Sequence, residues 1–290
     1  MLAIPEREPS ASRWASRAAL FSFGLILTAA FLHRVIGMPT PIAFNLFVVG
    51  LAVAVLSIVC ALVAGAVIWH TGRPGTARVM FAVCLSVVIL AAPLLFLVWL
   101  RDYPKVSDVT TDFNNPPVFS AVARLRGPGS NSLTYPRKFA DEQARAYPDI
   151  KPMVISRSTE EVYALVIDAV KRLHMEIERE DAPDGSAGTP GMIEAVDRTL
   201  IMGFYDDVAI RVGEEGDVSR IDIRSASRFG RGDMGRNAER VRELMKEIQA
   251  RLDSTVPTAQ DARQAGKRAK QEKADGPKSE NRRRSRDRGQ

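Results

Sequence analysis

The first hundred residues contain three long apolar runs, at residues 18–37, 42–69 and 77–100. A helix needs about 20 apolar residues to cross a bilayer, so the pattern predicts three transmembrane helices. The first run is the weakest of the three because His33 and Arg34 lie near its end. Its basic leader leaves a cleaved signal peptide as an alternative for this run alone.

The pattern changes after residue 101 to that of a water-soluble domain. Residues 103–157 carry seven prolines, which predicts an extended, wrapping segment with one short helix near residues 137–146. Ser158 and Glu161 form a capping box that opens an amphipathic helix ending near residue 174. A second amphipathic helix is predicted to begin near Asp233, since apolar residues again recur at helical spacing.

Between these helices the apolar positions alternate as they do in strands. Strands are predicted at residues 176–180, 192–198, 200–205, 208–212 and 219–227. The last two strands each have one apolar face, which is predicted to be buried, and one charged face, which is predicted to be exposed and to hold Arg220 and Arg224. Two registers keep the apolar faces together. One register places Asp207 opposite Arg224, and the other places Arg211 opposite Asp222. The whole predicts an α+β domain, an antiparallel sheet with two amphipathic helices on one face.

The distribution of charge separates the C-terminal tail from the rest of the chain. Residues 258–290 hold 11 Lys/Arg against 5 Asp/Glu, which accounts for the whole net charge of +6. This tail has no apolar periodicity and is predicted to be disordered. A basic tail of this kind can bind any polyanion, or it can serve only to keep the protein soluble. It contains no aromatic residue that could stack on bases, which argues against nucleic acid as the partner.

The basic residues that flank the predicted spans indicate how the protein is oriented in the membrane. Five Lys/Arg lie in the leader and in the loop between the second and third runs, against three on the opposite side. The positive-inside rule then places the N-terminus in the cytoplasm and the domain outside it. The predicted organisation is a cytoplasmic leader (1–17), a three-helix region (18–101), the α+β domain (102–257) and the tail (258–290).

Candidate chemistry in the domain is sparse. Both cysteines, Cys60 and Cys84, fall within the apolar runs, and no two of the three histidines have metal-ligand spacing. No catalytic residue, metal or cofactor is therefore expected. A hydrolase site built on carboxylates is the alternative. Its candidate residues are Asp112, Asp206, Asp207 and Asp233.

The strand-to-helix junction at residues 224–237 is the best candidate for ligand binding. It combines a strand end, a glycine-rich loop and a helix N-terminus whose free amide groups attract anions. A capping role for Asp233 is the competing interpretation, because a cap occupies the same amide groups. The predicted anion-binding residues are Arg224, Ser225, Ser227, Arg228, Arg231 and Asn237.

Several sequence segments are familiar: TDFNNPPVF at 111–119, YPDI at 147–150, EAVDRT at 194–199, GFYDDVAIR at 203–211 and DIRSASRFGRGDMGRN at 222–237. Over about residues 106–252 the chain resembles the domain of unknown function 1499 family. The resemblance implies a bacterial envelope setting, with some members anchored in membranes as here, and it supplies no activity.

We therefore expect a multi-pass protein of the bacterial inner membrane with a periplasmic domain that binds or scaffolds. The expected partners are membrane lipids and an anionic ligand, either a lipid headgroup or a cell-wall polyanion. Oligomeric state is not indicated by any pattern in the sequence.

Overall fold

A computed structural model describes residues 7–185, 188–199 and 202–255. The basic tail predicted from residue 258 onward lies outside the described residues. The prediction that this tail is disordered stays a prediction.

Three apolar helices form the N-terminal part. Helix α1 (Ser10–Phe31) continues into a π-helical turn (Leu32–Ile36), and α2 (Thr40–Thr71) and α3 (Thr76–Trp99) follow. The segments long and apolar enough to cross a membrane are Ser10–Ile36, Thr40–Thr71 and Thr76–Val98. They match the three predicted spans, although α1 begins at Ser10 rather than at residue 18.

Small residues bring these helices close together. Ala15 and Ala61 are buried where the helices meet. The Ser57 hydroxyl donates to the Ala15 carbonyl at 2.9 Å and accepts from the Ser86 hydroxyl at 3.0 Å. Such contacts satisfy polar groups that lipid could not satisfy.

The remaining elements form the predicted α+β domain. They are β1 (Asp108–Thr110), α4 (Ala140–Ala146), β2 (Met153–Ile155), α5 (Thr159–Arg172), β3 (Glu176–Asp181), β4 (Gly191–Arg198), β5 (Tyr205–Glu215), β6 (Val218–Ser227) and α6 (Arg236–Thr255). Ser158 caps α5 as predicted, because its hydroxyl accepts from the Glu161 amide.

The strands form one antiparallel sheet in the order β1-β6-β5-β4-β3, and β2 also pairs with β6. Arg211 lies opposite Asp222, which selects the second of the two predicted registers. Helices α5 and α6 pack on one face of the sheet, here called the helix face. Its core includes Val166, Leu244 and the isoleucines at 193, 210 and 223.

The opposite face is covered too. Residues 111–136, the covering segment, cross it, and Phe119 and Val122 pack against Val196, Ala209 and Ala226. We predicted this face to be charged and exposed. The structure corrects that expectation, because the proline-rich segment lies over the sheet and pairs with its charges.

One strand prediction was wrong and two strands were not predicted, each for an identifiable reason. Residues 202–204 form a turn between β4 and β5 rather than a strand, since Gly203 adopts a φ of 73° and its amide bonds the Thr199 carbonyl. Leu200 and Ile201 lie outside the described residues. Strands β1 and β2 were missed, because three residues amid prolines carry too short a pattern to recognise.

Candidate functional site

The six predicted anion-binding residues lie along the junction of β6 and α6 but do not converge on one site. Alternation along β6 directs the side chain of Arg224 to one face of the sheet and those of Ser225 and Ser227 to the other. Ser225 and Ser227 point towards α6, whereas Arg224 points towards the covering segment, as their contacts below show. Among the six residues, Arg231 in the connecting loop is exposed to solvent.

Arg224 is a buried structural partner of β1. Its side chain is 2% exposed and forms two parallel hydrogen bonds to Asp108, at 3.0 and 2.7 Å. The same guanidinium donates to the carbonyls of Pro117 and Leu133 and lies 4.4 Å from the Phe119 ring centroid. The expectation that Arg224 lies on an exposed strand face is therefore wrong.

Arg228 belongs to a second buried network on the same face. Its Nε and Nη2 donate to Asp207 Oδ1 at 2.9 and 2.7 Å. Arg126 of the covering segment donates to the other carboxylate oxygen at 2.6 Å. Asp207 thus lies between two arginines and fastens the covering segment to β5.

On the helix face, Asn237 and Arg240 connect α6 to the strands of the sheet. Asn237 accepts from the Ser225 hydroxyl at 2.7 Å and donates to the Ser227 hydroxyl at 2.9 Å. Arg240 is fully buried and donates to Asp206 at 2.8 Å and to Asp197 at 2.7 Å. Burial raises the pKa of Asp206, and the Arg240 guanidinium opposes that rise.

Sequence reasoning missed Arg240. The signal was present, since Arg240 lies four residues before Leu244 and so falls on the apolar stripe of α6. An arginine on such a stripe indicates a buried acidic partner.

Asp233 performs the capping role that competed with anion binding. Its carboxylate accepts from the amide of Gly235 at 2.9 Å and from that of Asn237 at 2.6 Å. Burial raises the pKa of Asp233 to about 6, with Asp206 adding to the rise and the amide hydrogen bonds opposing it. The donors that an external anion would need are therefore engaged by Asp233.

Asp112 lies on the covered face, away from α6. It accepts from Arg220 at 3.3 Å and from Arg211 at 3.4 Å, and its other oxygen bonds the amides of Asn114 and Asn115. Asp206 and Asp233 share the helix face with each other but are buried rather than open to a cleft. The four candidate carboxylates thus occupy separate ion pairs and caps.

Glu194 is a further buried acid that sequence reasoning did not single out. Its carboxylate accepts from three successive amides, Ser120 and Ala121 at 2.8 Å and Val122 at 3.1 Å, and from the Ser120 hydroxyl. Burial alone would raise the pKa of Glu194, but these hydrogen bonds outweigh it and lower the pKa. The covering segment therefore carries a ready anion site that the protein fills with its own carboxylate.

No group of three or more His, Cys, Asp or Glu suited to a metal ion occurs among the described residues. The fold and these networks define an α+β domain that follows three membrane-capable helices and contains buried arginine–carboxylate pairs on both sheet faces. Residues 108–248 match the family described as protein of unknown function (DUF1499), which confirms the resemblance found in the sequence.

Other comparisons add little. No curated protein matches the chain. CalU16 from Micromonospora echinospora, known from a crystal structure, is 15% identical in sequence to this chain. The alignment covers 36% of this chain and 82% of CalU16, with a TM-score of 0.19. This similarity is too low to support a conclusion about fold or function.

Proposed function

We propose that this chain is a membrane-anchored binding or scaffolding protein of the bacterial cell envelope, with its domain on the periplasmic side of the inner membrane. The observation that carries the proposal is the engagement of every candidate catalytic carboxylate in an internal ion pair or cap. Acid–base chemistry needs such groups to converge on a substrate. The same pairs join the covering segment and α6 to the sheet, which suits a protein that presents a fixed surface.

The link between membrane and domain supports a scaffolding role. The segment after α3 packs against the domain, since the Lys105 amide donates to Glu142 at 2.8 Å. The Pro104 carbonyl also lies 3.5 Å from the position of a Cβ added at Gly232. A domain held in this way keeps a defined orientation above the bilayer.

The ligand class in this proposal is an anionic lipid headgroup or a cell-wall polyanion. Because Arg224 and Arg228 are buried and paired, we assign the first contact with such a ligand to the exposed Arg231. This residue follows Gly230, whose φ of 95° turns the chain outward at the surface.

Native mass spectrometry of the detergent-extracted full-length protein tests this proposal. We expect an anionic envelope molecule to remain bound to the wild-type protein and to be depleted by Arg231→Ala. The exposed Arg145→Ala serves as the matched control. A chain ending at residue 103 identifies lipids that the spans hold by themselves.

Retention of the same molecule by Arg231→Ala would contradict the assigned contact, and absence of any molecule would contradict binding. The hydrolase alternative has its own readout. Ester or phosphoester hydrolysis by the full-length protein that is abolished by Asp233→Asn would replace the binding function with an enzymatic one.

A further inference from the structure

The connection between β4 and β5, here called the β4–β5 turn, contacts the end of the first membrane span through its described residues, 199 and 202–204. Arg198 donates from Nη2 to the Arg34 carbonyl at 2.7 Å and to the His33 carbonyl at 3.3 Å. The rings of Phe204 and His33 lie 5.4 Å apart. The contact is close, because a Cβ at Gly203 would lie 2.9 Å from Arg34 Cδ.

This contact places the turn at the membrane surface. The first span, Ser10–Ile36, has 27 residues. At about 1.5 Å per residue it is roughly 40 Å long, which matches a bilayer with its headgroup layers. The residues at its end, His33 and Arg34, therefore lie at headgroup depth, and so does the turn that packs on them.

The turn is apolar where turns are ordinarily polar. Its sequence, TLIMGF, contains no charged residue. Among its described residues, Met202 is 54% exposed and Phe204 is 38% exposed. They continue the apolar surface of the span end, where Val35 and Ile36 are 61% and 68% exposed. Apolar groups exposed at this depth meet the boundary between headgroups and acyl chains rather than bulk water.

Arg198 fixes the turn in this position. Its guanidinium also bonds the Gly203 carbonyl at 3.2 Å, so one side chain joins the turn to the span. The carbonyls of His33 and Arg34 belong to the final helical turn, whose partial negative charge favours a cation. Arg198 lies 5.1 Å from the Tyr205 ring centroid, which further limits its freedom.

We propose that the β4–β5 turn is a second membrane contact, which inserts Met202 and Phe204 into the interfacial layer of the bilayer. The partner is the lipid bilayer itself. The insertion holds the sheet at a fixed tilt over the membrane and directs its far end, the β5–β6 turn, away from the lipid.

Depth-dependent quenching in proteoliposomes tests the proposal on the full chain. Cys60 and Cys84 are replaced by Ala, and a single cysteine at Met202→Cys carries an environment-sensitive fluorophore. The matched control is Asp217→Cys in the opposite turn, about 35 Å away along the 11 residues of β5. With phosphatidylcholine that bears a doxyl group near the headgroup, we expect several-fold stronger quenching at position 202 than at position 217.

Equal quenching at the two positions, whether weak or strong, would overturn the proposal. Adding Arg198→Ala to the chain labelled at position 202 should reduce the quenching. If quenching is unchanged in that variant, Arg198 does not position the turn. The comparison of positions 202 and 217 still decides insertion if the Arg198 variant fails to fold.

Discussion

The structural role of an arginine in this protein depends on the partner that it contacts. Arg224, Arg228 and Arg240 are chemically the same as the exposed Arg231, yet each is buried against a carboxylate. Removing one member of a buried pair leaves the other charge unpaired, which is more destabilising than losing the pair as a whole.

Arg224→Ala is therefore expected to lower the free energy of unfolding by about 3–5 kcal/mol, because Asp108 would stay buried without its partner. Arg231→Ala, at an exposed position, should change the free energy of unfolding by less than about 0.5 kcal/mol. Chemical denaturation of the detergent-solubilised chain, followed by circular dichroism, measures both values.

The double change Arg224→Met with Asp108→Leu distinguishes charge from packing. We expect it to recover much of the stability lost in Arg224→Ala, since no buried charge remains. Wild-type stability in the single Arg224→Ala variant would show that the ion pair is not a structural requirement.

Asp233 gives the domain a pH dependence with a defined sign. Its folded pKa of about 6 lies above the ordinary aspartate value of 3.8, so the folded state binds the extra proton between these values. Its contribution therefore stabilises the domain as pH falls from 7 towards 4 and is lost as pH rises through 6. Burial likewise raises the pKa of Asp108 and Asp206, so the wild-type profile contains their contributions too.

Asp233→Asn isolates the pH-dependent part due to this carboxyl, because asparagine does not titrate and its amide oxygen can still accept one of the two capping hydrogen bonds. The lost capping bond lowers the stability of the variant equally at every pH, so we expect its stability relative to wild type to be higher above pH 6 than near pH 4. Thermal unfolding across this pH range measures the difference. A difference that does not change with pH would show that Asp233 has an ordinary pKa.

At the scale of elements, a side chain completes the edge of the sheet. Gln143 of α4 is fully buried, and its amide accepts from the Thr110 amide at 3.1 Å and donates to the Thr110 carbonyl at 2.7 Å. It thereby takes the place of a neighbouring strand beside β1. Unpaired edge groups are otherwise costly when buried.

Gln143→Ala should lower the free energy of unfolding by roughly 1–3 kcal/mol, because it leaves two backbone groups of Thr110 unsatisfied. Hydrogen exchange at the Thr110 amide should accelerate more than exchange in the centre of β5. Gln249→Ala, at an exposed position on α6, is the matched control and should leave both quantities near wild type. Unchanged exchange at Thr110 in Gln143→Ala would contradict this role.

At the scale of the whole molecule, the three predicted spans link the two ends of the chain. The side of the membrane that holds the N-terminus therefore fixes the side that holds the domain. The basic residues of the leader and of the α2–α3 loop favour a cytoplasmic N-terminus. We therefore expect an alkaline phosphatase fused to the C-terminus to be active and a fluorescent protein at the same position to be dark. The same reporters fused after Pro74, in the α2–α3 loop, should give the opposite pattern. A fluorescent C-terminal fusion would place the domain in the cytoplasm.

The sequence alone determined the periodic features of this protein. Apolar length predicted the three spans, helical spacing and capping predicted α5 and α6, and strand alternation predicted β3 to β6. These features are local, because the repeat of a helix or strand is present in a single stretch of chain. The order of the strands and the choice of register required contacts between distant segments.

The tertiary structure alone decided which charges are buried. The alternation that placed Arg224 and Asp207 on a polar face was correct. Only the fold brought residues 111–136 over that face. It also paired Arg224 with Asp108, and Asp207 with Arg126 and Arg228. Glu194 was missed for the same reason, since its partner Ser120 lies 74 residues away in the sequence. Periodicity places Arg240 on the buried stripe of α6, but only the fold identifies its partner Asp206, 34 residues away. No periodic pattern shows which distant residue a charged side chain pairs with, so that pairing is a property of the assembled fold.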